Sequence, residues 1–228
     1  QWSSSAASDV YKRQVYDKPV IGMAMTGERF VDIRFEGVVD YQAALDQMKE
    51  LQRLRIEDKI HDTLLLLEHP EIVTVGPRAR NDGITAPPTY PTFPVDRGGG
   101  LTWHGPGQIV CYPIFKWDLP GEDSVTAIIG KLEDWVIRTL TDLSIPARKD
   151  DRMQGVWVGD NKVCSIGLSF LRWTSRHGLT ININTPAGRV ENLSGCGLGE
   201  ATTTCLEKLG HSIDKELVIQ LLLENMGK

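Results

Sequence analysis

The sequence predicts an α+β fold, a mixed and largely antiparallel sheet with flanking helices. Three observations predict it. Short runs of strand length recur along the chain, and two of them read as a hairpin joined by a Gly-Asp-Asn turn. Longer segments repeat their apolar residues at helical spacing. The two kinds do not alternate regularly, as a doubly wound parallel sheet would require.

Taken in order, ERFVDIRFE (residues 28–36) alternates apolar and polar residues and reads as a half-buried strand. Asp40 is placed to cap a helix running to about Arg55, with Ala43, Ala44, Met48, Leu51 and Leu54 on one face. In DTLLLLEHPEIVTVG two apolar runs flank His-Pro-Glu, which predicts two strands and a turn. Residues 76–96 hold five prolines and little periodicity, so a long loop is expected there, and loops of that length are often functional. IVCYPIF reads as a strand. From Ser124, the residues Val125, Ile128, Ile129, Leu132, Trp135, Val136 and Leu140 recur at helical spacing. GVWVGDNKVCSIGLSF is the hairpin, turning at Gly159-Asp160-Asn161, and HGLTININ adds a strand ending near Pro186. Ser212 is expected to cap a terminal helix carrying Leu217, Val218, Leu221 and Leu222.

The first fourteen residues, QWSSSAASDVYKRQ, carry no apolar periodicity and no signal-peptide core. They read as a non-native or disordered extension, followed by a single catalytic domain over residues 15–228. A net charge of −5 leaves no electrostatic footprint for nucleic acid. No apolar run approaches the roughly 18 residues of a membrane span. Cys111, Cys164, Cys196 and Cys205 form no CxxC pair, so neither a disulfide framework nor a metal site is expected, and a reducing compartment is.

The densest chemistry lies in RGGGLTWHGPGQ (residues 97–108). It is neither a phosphate-binding P-loop nor a dinucleotide fingerprint. Its glycines let main-chain N–H groups approach a ligand closely, and Arg97, Thr102 and His104 add donors, which predicts a binding loop.

RGGGLTWHGPGQIVCYPI, followed in order by GVWVGDNKVCSIG, HGLTININ and ENLSGCGL, resembles the lipoyl(octanoyl) transferases, the octanoyl-[acyl-carrier-protein]:protein N-octanoyltransferases. The resemblance spans roughly residues 28–205, and that family is similar in fold to the catalytic domains of biotin and lipoate protein ligases. It implies Cys196 as nucleophile and Lys162 as its activator. It implies substrate binding by Arg97, Gly98, Gly99, Gly100, Leu101, Thr102, Trp103 and His104, by Ser165, Ile166 and Gly167, and by Gly178, Leu179 and Thr180 beside His177. The donor would be octanoyl-acyl carrier protein. The acceptors would be the lipoyl domains of 2-oxoacid dehydrogenases and the glycine-cleavage H protein. No metal and no dissociable cofactor are implied, and the location would be cytoplasmic, or mitochondrial if the native N-terminus is missing. Gly195 stands where the family usually has proline.

The residues can also be weighed alone. Cys111 sits in an apolar strand and Cys205 precedes Leu206, which fits small buried hydrophobes. Cys164 lies two residues from Lys162, so in a regular strand they share a face, which keeps Cys164 open as a nucleophile. Cys196 stands between two glycines. An ordinary lysine titrates near 10.4 and cysteine near 8.5, so the pair needs a special setting: an ammonium neighbour favours thiolate, and burial lowers the lysine. His104 as a thiol partner would suggest a hydrolase. An ATP-dependent lipoate or biotin ligase would also fit the glycine loop, without needing Cys196. An inactive module that binds acyl carrier or lipoyl domains would fit it too. Two basic clusters, Arg53, Arg55 and Lys59, and Arg148, Lys149 and Arg152, are candidates for docking an acidic carrier.

Overall fold

Asp62–Glu68 (β3), the run DTLLLLE, is covered on both faces, and that explains why it is continuously apolar. The computed structural model describes residues 20–26, 29–193 and 202–228. Before β3 come β1 (Val20–Thr26), β2 (Arg29–Val38) and helix α1 (Tyr41–Ile56). After it come β4 (Ile72–Val75), the short helix α2 (Pro77–Asn81), β5 (Thr92–Pro94), β6 (Leu101–His104) and β7 (Gln108–Ile114). Helix α3 (Val125–Asp142), β8 (Ala147–Arg148), β9 (Val156–Val158), β10 (Asn161–Leu171), β11 (Thr174–Asn182), a 3-10 turn at Glu207–Leu209 and α4 (Lys215–Glu224) complete the described elements.

Eight of these strands form one sheet in the order β1-β2-β3-β7-β11-β10-β9-β8. Within it β2 and β3 run parallel, joined through α1, and the other pairs are antiparallel. Alternation along the central strands assigns the two faces. Leu64, Leu66, Ile109, Cys111, Leu179 and Ile181 pack under α3 and α4. Leu65, Leu67, Val110, Tyr112 and Ile114 pack under α1. Three further strands make a small sheet in the order β5-β4-β6.

The helices start where side chains can cap them. Asp40 Oδ1 accepts from Gln42 N and Ala43 N, and Ser124 Oγ accepts from Ala127 N. Each such cap contributes about 1 kcal/mol. The buried stripe of α1 is Tyr41, Ala44, Leu45, Met48, Leu51 and Gln52, so Ala43 faces outward rather than inward. The cap of α4 is Asp214, which accepts from Glu216 N, and not Ser212. The chain stays irregular through Ile213, which packs on the core, so the helix cannot start until that residue has passed.

The two strands around His-Pro-Glu form, but they belong to different sheets and do not pair with each other. His69 sits between them. Its Nδ1–H donates to the Val39 carbonyl at 2.7 Å and its Nε2 accepts from the Tyr112 hydroxyl at 2.8 Å, which ties the turn to β7. The proline-rich stretch is not all loop. Pro77 opens α2 at a position where no N–H is needed, and residues 92–94 pair with β4. The expected extension over residues 1–14 lies outside the described residues.

Candidate functional site

Gly167 on β10 and Gly178 on β11 are direct cross-strand partners. A Cβ on Gly178 would lie 2.1 Å from the Cys111 carbonyl oxygen, and one on Gly167 would lie 2.9 Å from the Gly98 carbonyl oxygen. Without side chains there, the sheet presents bare backbone, and the glycine loop settles on it. Gly98 N donates to the Leu168 carbonyl at 2.9 Å, while the carbonyls of Gly99 and Gly100 accept from Arg78 N and Gly76 N. The loop is thus held between β10 and the start of α2.

Arg97 braces this loop. Its guanidinium donates to the Thr74 carbonyl and hydroxyl and to the carbonyls of Gly98 and Gly100. His104 is likewise fixed: Nδ1–H donates to Gln108 Oε1 at 2.9 Å, and Nε2 accepts from the Thr74 hydroxyl at 3.2 Å. Burial drives its pKa well below the ordinary range, with the nearby His69 and Arg97 adding to the effect. Its full burial and these contacts at both ring nitrogens make His104 a poor partner for a thiol.

A line of hydrogen bonds then crosses the sheet. Gln108 Nε2 donates to Asn182 Oδ1 at 2.8 Å, Asn182 Nδ2 donates to the Thr204 carbonyl, and Thr204 N donates to the Lys162 carbonyl. Lys162 N in turn donates to the Thr202 carbonyl at 2.8 Å. Lys162 is only 5% exposed, and its side chain runs past Gly155, where a Cβ would sit 2.6 Å from Lys162 Cε. Gly155 N donates to the buried Glu133 carboxylate at 2.8 Å, so the turn that makes room for the lysine is itself anchored to α3.

The register shifts between Lys162 and Cys164. This bulge breaks the alternation on which a shared face depended. Cys164 packs in the core with Val156 and Ile181, and burial pushes its thiol up to about 12 despite the Lys162 charge. Burial raises Cys111 well above its ordinary value, and Cys205 is buried as well. Cys111 and Cys164 are therefore poor sources of thiolate, and Cys205 is closed off from a substrate by its burial. Cys196, with Gly195, lies outside the described residues.

Two clefts meet over the bare backbone. The first is narrow, about 20 Å³, and is lined by Tyr41, Arg97, Thr102, His104, Tyr112, residues 165–167, His177, Gly178 and Thr180. The second, about 30 Å³, shares Thr102, Ser165 and Thr180 and is walled by Leu101, Trp103, Val190 and Leu193, with Thr203 at its side. Thr203 bridges to Lys162, which places the lysine backbone beside the second cleft. The structure thus brings three separate sequence segments together around one space. Four expected residues do not line it: Gly98, Gly99 and Gly100 lie outside both clefts, and Leu179 points to the opposite face, into the core under α3 and α4, because Gly178 and Thr180 take the cleft side of the strand. A larger groove of about 520 Å³ along α2 and the segment up to Thr92 holds none of the expected residues.

Tyr41, His69, Tyr112, Asp96 and Asn182 were not singled out from the sequence. The signal for Tyr112 was parity: Gln108, Val110 and Tyr112 alternate onto one face of their strand, the face of the cleft. Neither basic cluster presents uncompensated charge. Arg53 pairs with Glu50 and Glu57, Arg55 with Asp58 and Asp62, and Lys59 with Glu57. Arg148 pairs with Asp150, Arg152 with Asp150 and Asp160, and Lys149 with Asp134.

The family model for the lipoyl protein ligase A/B catalytic domain matches residues 40–227. The chain belongs to this family. It is 37% identical to an octanoyltransferase of Caldicellulosiruptor bescii over 207 residues, covering 87% of this chain and 90% of that one. An octanoyltransferase of Corynebacterium glutamicum is 36% identical, covering 85% of this chain and 78% of that one. These likenesses make the chain a lipoyl(octanoyl) transferase family member and an acyltransferase. The α+β fold agrees with solved structures too distant to show more than fold. A lipoate-protein ligase A bound with ATP superposes with TM-score 0.62 at 11% identity, covering 82% of this chain and 81% of that one. A putative lipoate protein ligase from T. acidophilum with bound lipoic acid gives 0.59 at 12% identity, covering 82% of each chain. Biotin protein ligase from Aquifex aeolicus with biotin and ATP gives 0.52 at 13% identity, covering 85% of this chain and 68% of that one. No described helix of this lipoyl(octanoyl) transferase family member is long and apolar enough to cross a membrane.

Proposed function

We propose that the chain moves an octanoyl group from octanoyl-acyl carrier protein to the target lysine of lipoyl domains, through a thioester on Cys196. The observation that supports it best is the buried Lys162, roofed by Gly155 and tied by backbone bonds to a cleft lined by the expected substrate-binding segments. Burial of the other three cysteines leaves Cys196 as the chain's remaining thiol for covalent chemistry.

The chemistry runs as two exchanges. Cys196 attacks the carrier thioester and forms a second thioester of similar energy, so neither is a deep trap. The acceptor lysine then attacks, and the amide makes the sequence run forward. Lys162 favours the thiolate as a neighbouring ammonium and returns a proton to sulfur when the acyl group leaves. Seven apolar carbons at roughly 0.8 kcal/mol each would contribute about 5–6 kcal/mol of acyl binding. Leu101, Trp103, Val190 and Leu193 offer the surface for that burial. The acceptors read from the family are the lipoyl domains of 2-oxoacid dehydrogenases and the glycine-cleavage H protein, and the lipoate ligase fold fits such domains.

The test is intact-protein mass after mixing the chain with octanoyl-acyl carrier protein without ATP. Gain of one octanoyl group on the native chain and on Cys164→Ser, but not on Cys196→Ser, is the expected result. No adduct, with lipoyl-domain modification appearing only when ATP and free octanoate are supplied, would replace the transferase by a ligase. No adduct and no transfer under either condition would leave a binding module.

A further inference from the structure

Glu133 stands on the buried face of α3, with the core residues Ile129 and Val136 one turn to either side, and is 8% exposed. A carboxylate in such a place is costly unless something nearby uses its charge. Its Oε1 accepts from Gly155 N at 2.8 Å, but a neutral amide oxygen would serve that bond as well. The hydrogen bond alone does not account for an acid there.

Gly155 joins this carboxylate to Lys162. The glycine is buried, with φ +127°, a conformation that side chains rarely adopt. A Cβ on it would lie 2.2 Å from the Cys164 carbonyl oxygen, 2.6 Å from Lys162 Cε and 3.3 Å from Lys162 Nζ. The lysine head and the Glu133 carboxylate therefore meet the same residue, one at its α-carbon and one at its amide N–H. The Cys164 thiol feels both charges: burial sets its raised pKa, Lys162 pulls it down and Glu133 pushes it up. The two exchanges described above use Lys162 and make no use of Glu133.

We infer that Glu133 is a positioning residue for this site, which pins the Gly155 turn over Lys162 and sets a negative charge beside the lysine's ammonium. This rests on the covalent transfer proposed above, in which that ammonium favours the Cys196 thiolate and returns a proton to sulfur. Burial favours the neutral form of any lysine, and a carboxylate this close opposes it, so the proton stays on as pH rises. The other charged groups on the packed elements leave this effect in place. Lys131 on α3 pairs with Glu122, Lys149 with Asp134, and Arg148 and Arg152 with Asp150. Arg138 and Asp142 lie more than a turn further along α3, and Asp151 and Asp160 are exposed. Residues 156–158 and 202–204 carry no charge, and Glu191 pairs with Lys208. Cys164, pushed up to about 12, is a thiol at neutral pH.

Glu133→Gln keeps an oxygen for Gly155 N and removes only the charge. Denaturant unfolding of the native chain, Glu133→Gln, Lys162→Gln and the double variant reads the coupling of the two charges without any assay of activity. A unit charge one residue away inside a protein is worth about 1 pH unit or more, so the double variant should depart from additivity by about tenfold in the folding equilibrium. Single-turnover intact mass between about pH 6 and 10 then follows acyl-enzyme formation. In Glu133→Gln the alkaline fall in rate should begin about 1 pH unit lower than in the native chain, which a turn anchor alone would not move. An additive cycle, or an alkaline limb that stays in place, would overturn the inference and leave the acyl-enzyme reading intact. Absence of any acyl-enzyme on the native chain would overturn both.

Discussion

Replacing Gly178 by alanine adds one methyl group at the point where β11 passes β7. The added Cβ would lie 2.1 Å from the Cys111 carbonyl oxygen and 2.6 Å from Pro113 Cδ. Neither atom belongs to a flexible side chain, and ordinary contact begins near 3.4 Å, so β7 and β11 must part by more than 1 Å. They are adjacent central strands, registered from Leu179 with Cys111 to Asn182 with Gln108, and both their faces are packed. Overpacking of this kind costs about 1–3 kcal/mol, and with rigid atoms on the far side about 3 kcal/mol is expected. For a chain of this size that is a fall in Tm of roughly 6–12 °C. Gly159→Ala is the control. Its φ is +57° but nothing lies within 4 Å of the new Cβ, so only backbone strain of about 1 kcal/mol is added, or roughly 2–4 °C. Differential scanning calorimetry on both variants would decide. A Gly178→Ala midpoint no lower than that of Gly159→Ala would refute the claim that bare backbone is required there.

Other outcomes follow from the same geometry. His69 titrates at about 4, and burial lowers His104 and His177 as well, so all three are neutral at pH 7 when folded. The unfolded chain protonates each near 6.5, so stability is full above that pH and is lost as pH falls toward about 4, by up to about 1.4 kcal/mol per histidine per pH unit. Urea midpoints between pH 7 and 5 should therefore drop steeply, and His69→Gln should flatten the slope by about a third of the three-histidine contribution. Gln108→Leu strips partners from the Asn182 side chain and from His104 Nδ1, at about 1–3 kcal/mol for each buried group left unsatisfied, measurable by chemical denaturation. Cys164→Ala should cost about 1–2 kcal/mol of core packing yet leave octanoyl transfer to a lipoyl domain in place. Loss of transfer in a folded Cys164→Ala chain would show that the burial argument against that thiol is wrong.

The fold was legible where a local signal agreed with its surroundings. The strand at HGLTININ, the hairpin turning at Gly159 and the helix from Ser124 are all present, because alternation, turn chemistry and capping each act within a few residues. The strand over residues 20–26 was not foreseen: VIGMAMT is small and apolar without clear alternation, and its place is fixed by pairing with β2. The separation of β3 from β4 into two sheets was equally hidden. It depends on the buried His69 reaching Val39 and Tyr112, contacts 30 and 43 residues away in sequence. At the site, the glycine segments and Lys162 could be found from family resemblance, but the sense of each side chain could not. Arg97 lines the first cleft as expected of a ligand donor, but the hydrogen bonds by which it also braces its own loop left no trace in the sequence. Leu179 looked like a cleft residue until strand alternation placed it in the core. The hydrogen bonds from His177 to Tyr41 and to Asp96 join residues between 55 and 136 apart in sequence, and no motif spans such distances.

The facing pair Gly167 and Gly178 has a consequence for how such an enzyme can change its substrate. Over the width of two strands the floor of the cleft is peptide backbone, which is chemically the same whatever sequence surrounds it. Point substitution has little to work on there: any larger residue meets Cys111 or the glycine loop. Retuning for a different acyl length therefore falls to the walls, to Tyr41 and Tyr112 in one cleft and Trp103, Val190 and Leu193 in the other. The part of the site that is hardest to mutate is the part that carries no information about the substrate.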